Sequence, residues 1–179
     1  MRIIAGRYRS RKLKSVPGSG VRPTPDRLRE ALFNVLTPWI DDAVFLDAYA
    51  GSGAVGIEAL SRGAKQIILV EKSTQALAVI RENLATLGIG SETTVLHGTA
   101  VNHLRKHPAD IVFIDPPYEQ VKEYENSLMI LGKMGCSRAI AQHSSRLLLE
   151  ERYGQLARKR ILKQGDNSLS FYEVTQAGE

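Results

Sequence analysis

Residues 43–56 read Ala43-Val44-Phe45-Leu46-Asp47-Ala48-Tyr49-Ala50-Gly51-Ser52-Gly53-Ala54-Val55-Gly56. A short apolar run ends in an acid, a glycine turn follows, and an apolar segment resumes beyond it. That is strand, turn and helix. The same phrase recurs downstream, where 66–71 (QIILVE), 93–97, 110–115 (DIVFID) and 138–143 read as further strands. A helix through 57–62 stops at Gly63, and a short helix follows 93–97. Ser73 caps another whose Leu77, Ile80, Leu84 and Leu87 share a face, and Gly88 ends it. Segments 155–163 and 168–174 read as a closing antiparallel pair around Gly165-Asp166-Asn167. Strands that stay apolar without alternating are buried on both faces, and alternation with helices makes their sheet parallel. The expected architecture is a doubly wound, three-layer αβα domain.

Upstream of this frame, Thr24 reads as an N-cap and Pro25 as the first residue of a helix closed by Pro38. Its Leu28, Ala31, Leu32, Val35 and Leu36 form one face, which leaves Arg27 and Arg29 to extend a basic surface. Basic it is: residues 1–29 carry nine Lys or Arg (Arg2, Arg7, Arg9, Arg11, Lys12, Lys14, Arg22, Arg27, Arg29) against Asp26 alone, a formal +8. The other 150 residues carry fifteen basic and eighteen acidic side chains, a formal −3. Such asymmetry points to a polyanionic partner. Ile3, Tyr8, Leu13 and Val16 supply enough apolar character for short strands or a hairpin there.

Composition excludes several classes. At 43% hydrophobic and 24% charged, the chain is globular, and its 179 residues suit one domain with a short appendage. No apolar run approaches the roughly 20 residues of a membrane span, and no signal-peptide core follows the basic start. Cys136 is the only cysteine, which excludes an intramolecular disulfide and makes a reducing cytoplasm the expected setting.

Gly51-x-Gly53-x-x-Gly56 between strand and helix, with Glu71 at the next strand's end, suits any adenosine-bearing cofactor, NAD included. Glycines let the backbone approach the ligand, and the acid accepts from a ribose diol. Asp47 tilts the choice. Beside a diphosphate it would repel, whereas beside the sulfonium and ammonium of S-adenosylmethionine it attracts. At the end of 110–115, Asp115-Pro116-Pro117-Tyr118 places an acceptor side chain, a turn poor in N–H donors and an aromatic plate at the sheet's carboxyl edge. Those groups fit a planar ring with an exocyclic amine. His103-x-x-x-His107 lacks further ligands nearby and reads as a surface pair. Cys136 reads as packing. Arg158, Lys159, Arg160 and Lys163 form either a second basic patch or a solvated strand edge.

Asp-Pro-Pro-Tyr behind Asp-x-x-x-Gly-x-Gly resembles the methyltransferases that act on exocyclic amines of nucleobases. More closely, several stretches together resemble the RsmD family, whose members methylate a guanine N2 in small-subunit (16S) ribosomal RNA. These are residues 1–6 (MRIIAG), Arg22-Pro23-Thr24-x-Asp26-Arg27-x-Arg29-Glu30-Ala31-Leu32-Phe33-Asn34, residues 50–63, Val70-Glu71-Lys72, Arg81-Glu82-Asn83-Leu84 and Leu169-Ser170-Phe171-Tyr172. The resemblance implies a Rossmann-like, seven-stranded class I methyltransferase fold over 24–179, with S-adenosylmethionine as donor. It also implies a basic RNA-binding extension over 1–23, a cytoplasmic monomer needing no metal, and 16S RNA as partner, free or within an assembling subunit. Cofactor contacts then fall on Asp47, Ala48, Gly51, Ser52, Gly53, Glu71, Lys72, Thr99 and Ala100. Catalysis falls on Asp115, Pro116, Pro117 and Tyr118, and RNA contacts on Arg7, Tyr8, Arg9, Arg11, Lys12, Lys14 and Arg22. Two departures stand out. Thr99 replaces a common acid, leaving the adenine amino contact to it or to a backbone carbonyl, and Gln142 replaces a glutamate and receives no catalytic role. The Asp-Pro-Pro-Tyr site does not by itself name the base, so a DNA or RNA adenine-N6 or cytosine-N4 methyltransferase remains the alternative, with an NAD-dependent oxidoreductase behind it.

Overall fold

A computed structural model describes residues 1–18 and 24–175. Eight strands form one sheet: β1 (Val44–Asp47), β2 (Gln66–Glu71), β3 (Thr93–His97), β4 (Ile111–Ile114), β5 (Arg138–Ser144), β6 (Arg152–Tyr153), β7 (Leu156–Gln164) and β8 (Asn167–Val174). Their order is β3-β2-β1-β4-β5-β8-β7-β6. The first five are parallel, and the last three join antiparallel. Seven of the strands are those the sequence pattern predicts. The eighth, β6, has only two residues, too short for any periodicity to reveal.

Helices α1 (Asp26–Ile40), α2 (Ala54–Ser61) and α3 (Thr74–Leu87) serve one face of the sheet, where Phe45, Ile67, Leu69, Ile111 and Phe113 enter a common core. On the other face α4 (Ala100–Leu104) and α5 (Val121–Met134) cover Leu46, Ile68, Val70, Val112 and Ile114. Successive side chains of β1, β2 and β4 thus go to opposite cores, which is why these strands are apolar along their length. Ser73 caps α3 by accepting from Ala76 N at 3.3 Å, and Gly88 ends it in the left-handed region at φ 67°.

Three expectations about α1 fail, the Thr24 cap among them, since the N-cap is Pro25. The helix passes through Pro38 to the buried Ile40. So near the C-terminus a proline removes one backbone bond, and the packing of Ile40 outweighs that loss. Nor does Arg29 join a basic surface. It is fully buried, on a second stripe with Phe33, Leu36 and Ile40. Its Nη2 donates to the Arg2 carbonyl at 2.6 Å and to Asp26 at 3.0 Å, and its Nε lies 3.7 Å from Glu58. Burial pulls the guanidinium below its ordinary value, and Glu58 then Asp26 offset that.

The partner of that second stripe is the start of the chain. All eight residues of α2 are buried, so the helix needs cover on its far side as well. Residues 1–14 provide it. Arg2 bridges Lys12 antiparallel, and Ile3 and Leu13 enter the core. Buried Glu58 accepts from Ile4 N at 2.8 Å and Ala5 N at 3.0 Å, and Arg62 Nε donates to it at 2.7 Å. Ser61 receives Arg7 N and Tyr8 N. The basic segment is a layer of the fold.

Candidate active site

The carboxyl ends of the parallel strands open into a cavity of about 470 Å³. Asp47 closes β1, and its neighbour Ala48 donates to the Phe113 carbonyl at 2.9 Å. The chain then turns back over β2, with Ala50 N on the Val70 carbonyl at 2.9 Å. Gly51 adopts φ 55° and Gly53 φ 81°, both in the left-handed region that a side chain disfavours. Gly56 serves packing, because a Cβ there would sit 2.3 Å from Leu69 Cδ2. It lets α2 lie close on β2.

Glu71 is locked at the end of β2. One carboxylate oxygen accepts from Gly51 N and the other from Ser73 N, each at 2.8 Å. Each oxygen keeps a lone pair for a ligand hydroxyl. Asp47 is 1% exposed and accepts from Tyr49 N at 3.3 Å and from Gly56 N. Burial pushes its carboxyl up to about 7, with Glu71 adding to the rise and the two backbone bonds opposing it. Asp115, at the end of β4, is pushed up to about 8 by burial and then by Asp47, while a hydrogen bond from the Thr24 hydroxyl opposes the shift. Two acids that repel one another therefore share a cavity, and neither has an ion-pair partner among the described residues.

The cavity wall includes Asp47, Ala48, Gly51, Ser52, Glu71, Lys72, Thr99, Ala100, Asp115 and Pro117. Gly53, Pro116 and Tyr118 lie outside it. Gly53 instead serves as the N-cap of α2. Pro116 is buried, and its carbonyl accepts from the buried Tyr124 hydroxyl at 3.4 Å. Tyr118 is 43% exposed at the lip, where its hydroxyl bonds Asn167 at the start of β8. Gln142 is buried in β5, away from the cavity. Cys136 packs as expected, its thiol pushed up to about 11 by burial.

Several wall residues are not ones the sequence pattern assigns to the site. Thr24 does not cap α1, whose N-cap is Pro25. It turns to Asp115 instead. Met1, Ser15 and Val16 bring the first layer to the cavity rim. Asn83 ties that layer to the glycine turn, accepting from Lys14 N at 2.8 Å and donating to the carbonyls of Lys14 at 3.1 Å and Ser52 at 3.0 Å. Tyr49 and Glu123 complete the wall beyond Asp115.

The expected RNA contacts are divided. Lys14 lies near the rim and pairs with Glu82, whereas Arg7 pairs with Glu92 at 3.0 Å and stacks on Tyr8 at 4.5 Å. Arg7, Tyr8, Arg9 and Arg11 sit toward the far end of α2, one helix length of about 12 Å from the cavity. Arg9 and Lys12 are exposed, without ion-pair partners among the described residues. Arg22 lies outside the described residues.

A protein family described as "Conserved hypothetical protein 95" matches residues 1–173. "Putative rRNA methyltransferase YlbH" of Bacillus subtilis (strain 168) is 33% identical, covering 97% of this chain and 98% of its own length. "Ribosomal RNA small subunit methyltransferase D" of Escherichia coli (strain K12) is 46% identical over 122 residues, which are 67% of this chain and 61% of that protein. The solved structure of a putative methyltransferase, yhhF, from Escherichia coli superposes with a TM-score of 0.82 at 34% identity, covering 97% of this chain and 97% of that one.

Proposed function

The chain belongs to the family described as conserved hypothetical protein 95, that of the RsmD methyltransferases, and from that premise we propose that it methylates the N2 amino group of a guanine in small-subunit (16S) ribosomal RNA in the cytoplasm. The observation that carries this reading is the pair Asp47 and Asp115, two acids in one cavity beneath a glycine turn with no ion-pair partner among the described residues. An electron-rich pocket of that kind suits a cationic ligand on one side and an amino group on the other. The residues present fit S-adenosylmethionine. Asp47 would face its cationic methionyl portion, Glu71 its ribose hydroxyls, and Lys72, Thr99 and Ala100 the rim around its base. When bound, it supplies a methyl group on a sulfonium, which departs as a neutral thioether. An NAD-type diphosphate would meet Asp47 and be repelled, which disfavours the oxidoreductase reading.

The lone pair of a guanine amine is delocalised into the ring. Asp115, on the cavity wall, accepts one N–H of that amine. That bond favours a pyramidal nitrogen whose lone pair points at the methyl. The amine loses one proton as the new C–N bond forms, and Asp115, with its raised affinity for protons, is placed to take it. Thr24 fixes the Asp115 carboxylate, and Tyr118 stacks on the base from the lip, steadied by Asn167. Positioning of this kind supplies on the order of 7–11 kcal/mol. Exposed Arg9 and Lys12, with Arg11, contact RNA phosphates across the outer layer.

Mass mapping of ribosomal RNA from a deletion strain identifies the nucleotide, and returning the gene restores the methyl group. The Asp115→Ala variant abolishes transfer while S-adenosylhomocysteine affinity stays within about threefold. Full turnover by that variant, or a mapped methyl on a ring atom or ribose, would refute the reading.

A further inference from the structure

Glu123 stands on the first turn of α5 and lines the cavity that holds Asp115 and Pro117. Two consecutive turns bring it there: Gln120 N donates to the Pro117 carbonyl at 2.8 Å, and Glu123 N to the Gln120 carbonyl at 2.9 Å. Tyr49, from the loop after β1, donates its hydroxyl to Glu123 Oε2 at 2.8 Å. The same hydroxyl lies 3.2 Å from Ser127 Oγ. Burial raises the Tyr49 phenol above its ordinary value, so it remains a donor. One carboxylate oxygen is thus tethered, and Oε1 has no partner among the described residues. An acceptor-only oxygen on the wall of the cavity that holds the reacting acid demands a donor from whatever enters.

We propose that Glu123, oriented by Tyr49, accepts the ring N1–H of the target guanine and so selects guanine over purines whose N1 lacks a hydrogen. This rests on the reading of Asp115 as the acceptor of the guanine N2 amine. On the edge of guanine, the N1–H donor adjoins the N2 amino group, so two acceptors on one cavity wall match two neighbouring donors. Adenine and 2,6-diaminopurine present an unprotonated N1, which would face the carboxylate with lone pair against lone pair. Glu123 is therefore a specificity residue, and Tyr49 positions it.

The test uses small subunits reconstituted with guanine or 2,6-diaminopurine at the mapped position. Both bases carry the N2 amine and differ at N1 and position 6. Wild-type enzyme favours guanine, and Glu123→Gln lowers kcat/KM for guanine by roughly 10- to 100-fold. The guanine-to-diaminopurine preference shrinks by at least about tenfold, because the glutamine amide can donate to N1. Tyr49→Phe shifts the preference in the same direction by less, and S-adenosylhomocysteine affinity stays within about threefold in both variants. An unchanged preference in Glu123→Gln overturns the inference while the guanine-N2 reading stands. So does a loss of cofactor affinity equal to the loss of turnover, which would assign Glu123 to the cofactor. Failure of the wild-type enzyme to methylate guanine overturns the function itself, and this inference with it.

Discussion

Glu58 and Asp47 are both acids drawn almost entirely out of water in one small domain, and their surroundings are opposite. Glu58 is met by Arg29, Arg62 and the backbone N–H groups of Ile4 and Ala5. Asp47 receives two backbone N–H groups and then faces a cavity that it shares with a second acid, Asp115. The first arrangement is complete and holds the opening segment of the chain onto α2. The second is incomplete among the described residues, which gives it affinity for a cationic or amino-bearing ligand. A buried charge with its partners in place is structure, and a buried charge without them is a site.

The sharpest way to break that contrast is to remove each acid in turn. Glu58→Ala strands Arg29 and two N–H groups, and should cost about 3–5 kcal/mol in urea unfolding. Asp115→Asn, at pH 8 and without ligand, should leave stability unchanged or raise it, because it removes a charge that no cation among the described residues balances. Equal losses from both variants would make the cavity acids structural.

Protonation probes the same contrast. Asp47 at about 7 and Asp115 at about 8 lie well above the unfolded value of about 3.9, so the native state holds more protons than the unfolded one between those limits. Stability of the ligand-free protein therefore falls as pH rises from about 4 to 8. Its melting temperature should be at least about 5 °C higher at pH 5.5 than at pH 8. Ligand affinity should move oppositely, since the ammonium of S-adenosylhomocysteine favours the ionised acids. Calorimetry in buffers of different protonation enthalpy should record proton release on binding. Uptake of protons would show that the acids do not meet a cation.

Smaller effects refine the picture. Thr24→Val removes the hydroxyl that opposes the rise at Asp115. The variant should lose about tenfold in kcat with KM for the donor little changed, and the acidic limb of its pH–rate profile should move to higher pH. Thr24→Ser should restore both. Smallest of all, Arg9→Glu with Lys12→Glu should weaken RNA binding several-fold and flatten its salt dependence. The expected change in slope is about 0.7–0.9 per lost phosphate contact, with melting temperature unchanged. Deleting residues 1–15 cannot test the same point, because Ile3 and Leu13 belong to the core.

Much of the site was legible because this fold delivers its chemistry at strand ends. Asp47, Glu71 and Asp115 each follow an apolar run, so local pattern alone places all three on one edge of a parallel sheet. The glycines were legible too, though Gly56 proved to serve helix packing. Arg29 misled, because helical spacing shows one apolar stripe and cannot reveal that a second layer covers the neighbouring one. Thr24 looked like a cap because the hydroxyl-proline pair is a local signal, and its bond to Asp115 spans 91 positions. Tyr49 and Glu123, 74 residues apart, carry no pattern that would join them.

By itself, then, the sequence determined seven strands and the helices α1 to α4, though not α5 or β6, together with the parallel sheet and the acids and glycines at its edge. Those depend on interactions within a few residues and on apolar periodicity. Only the tertiary structure decided which charges are satisfied. Arg29 and Glu58 meet, Lys14 and Ser52 share Asn83, and Tyr49 aims Glu123, each across the sheet or between layers. Partnership of buried polar groups is set by where distant segments pack, and burial makes that partnership energetically decisive.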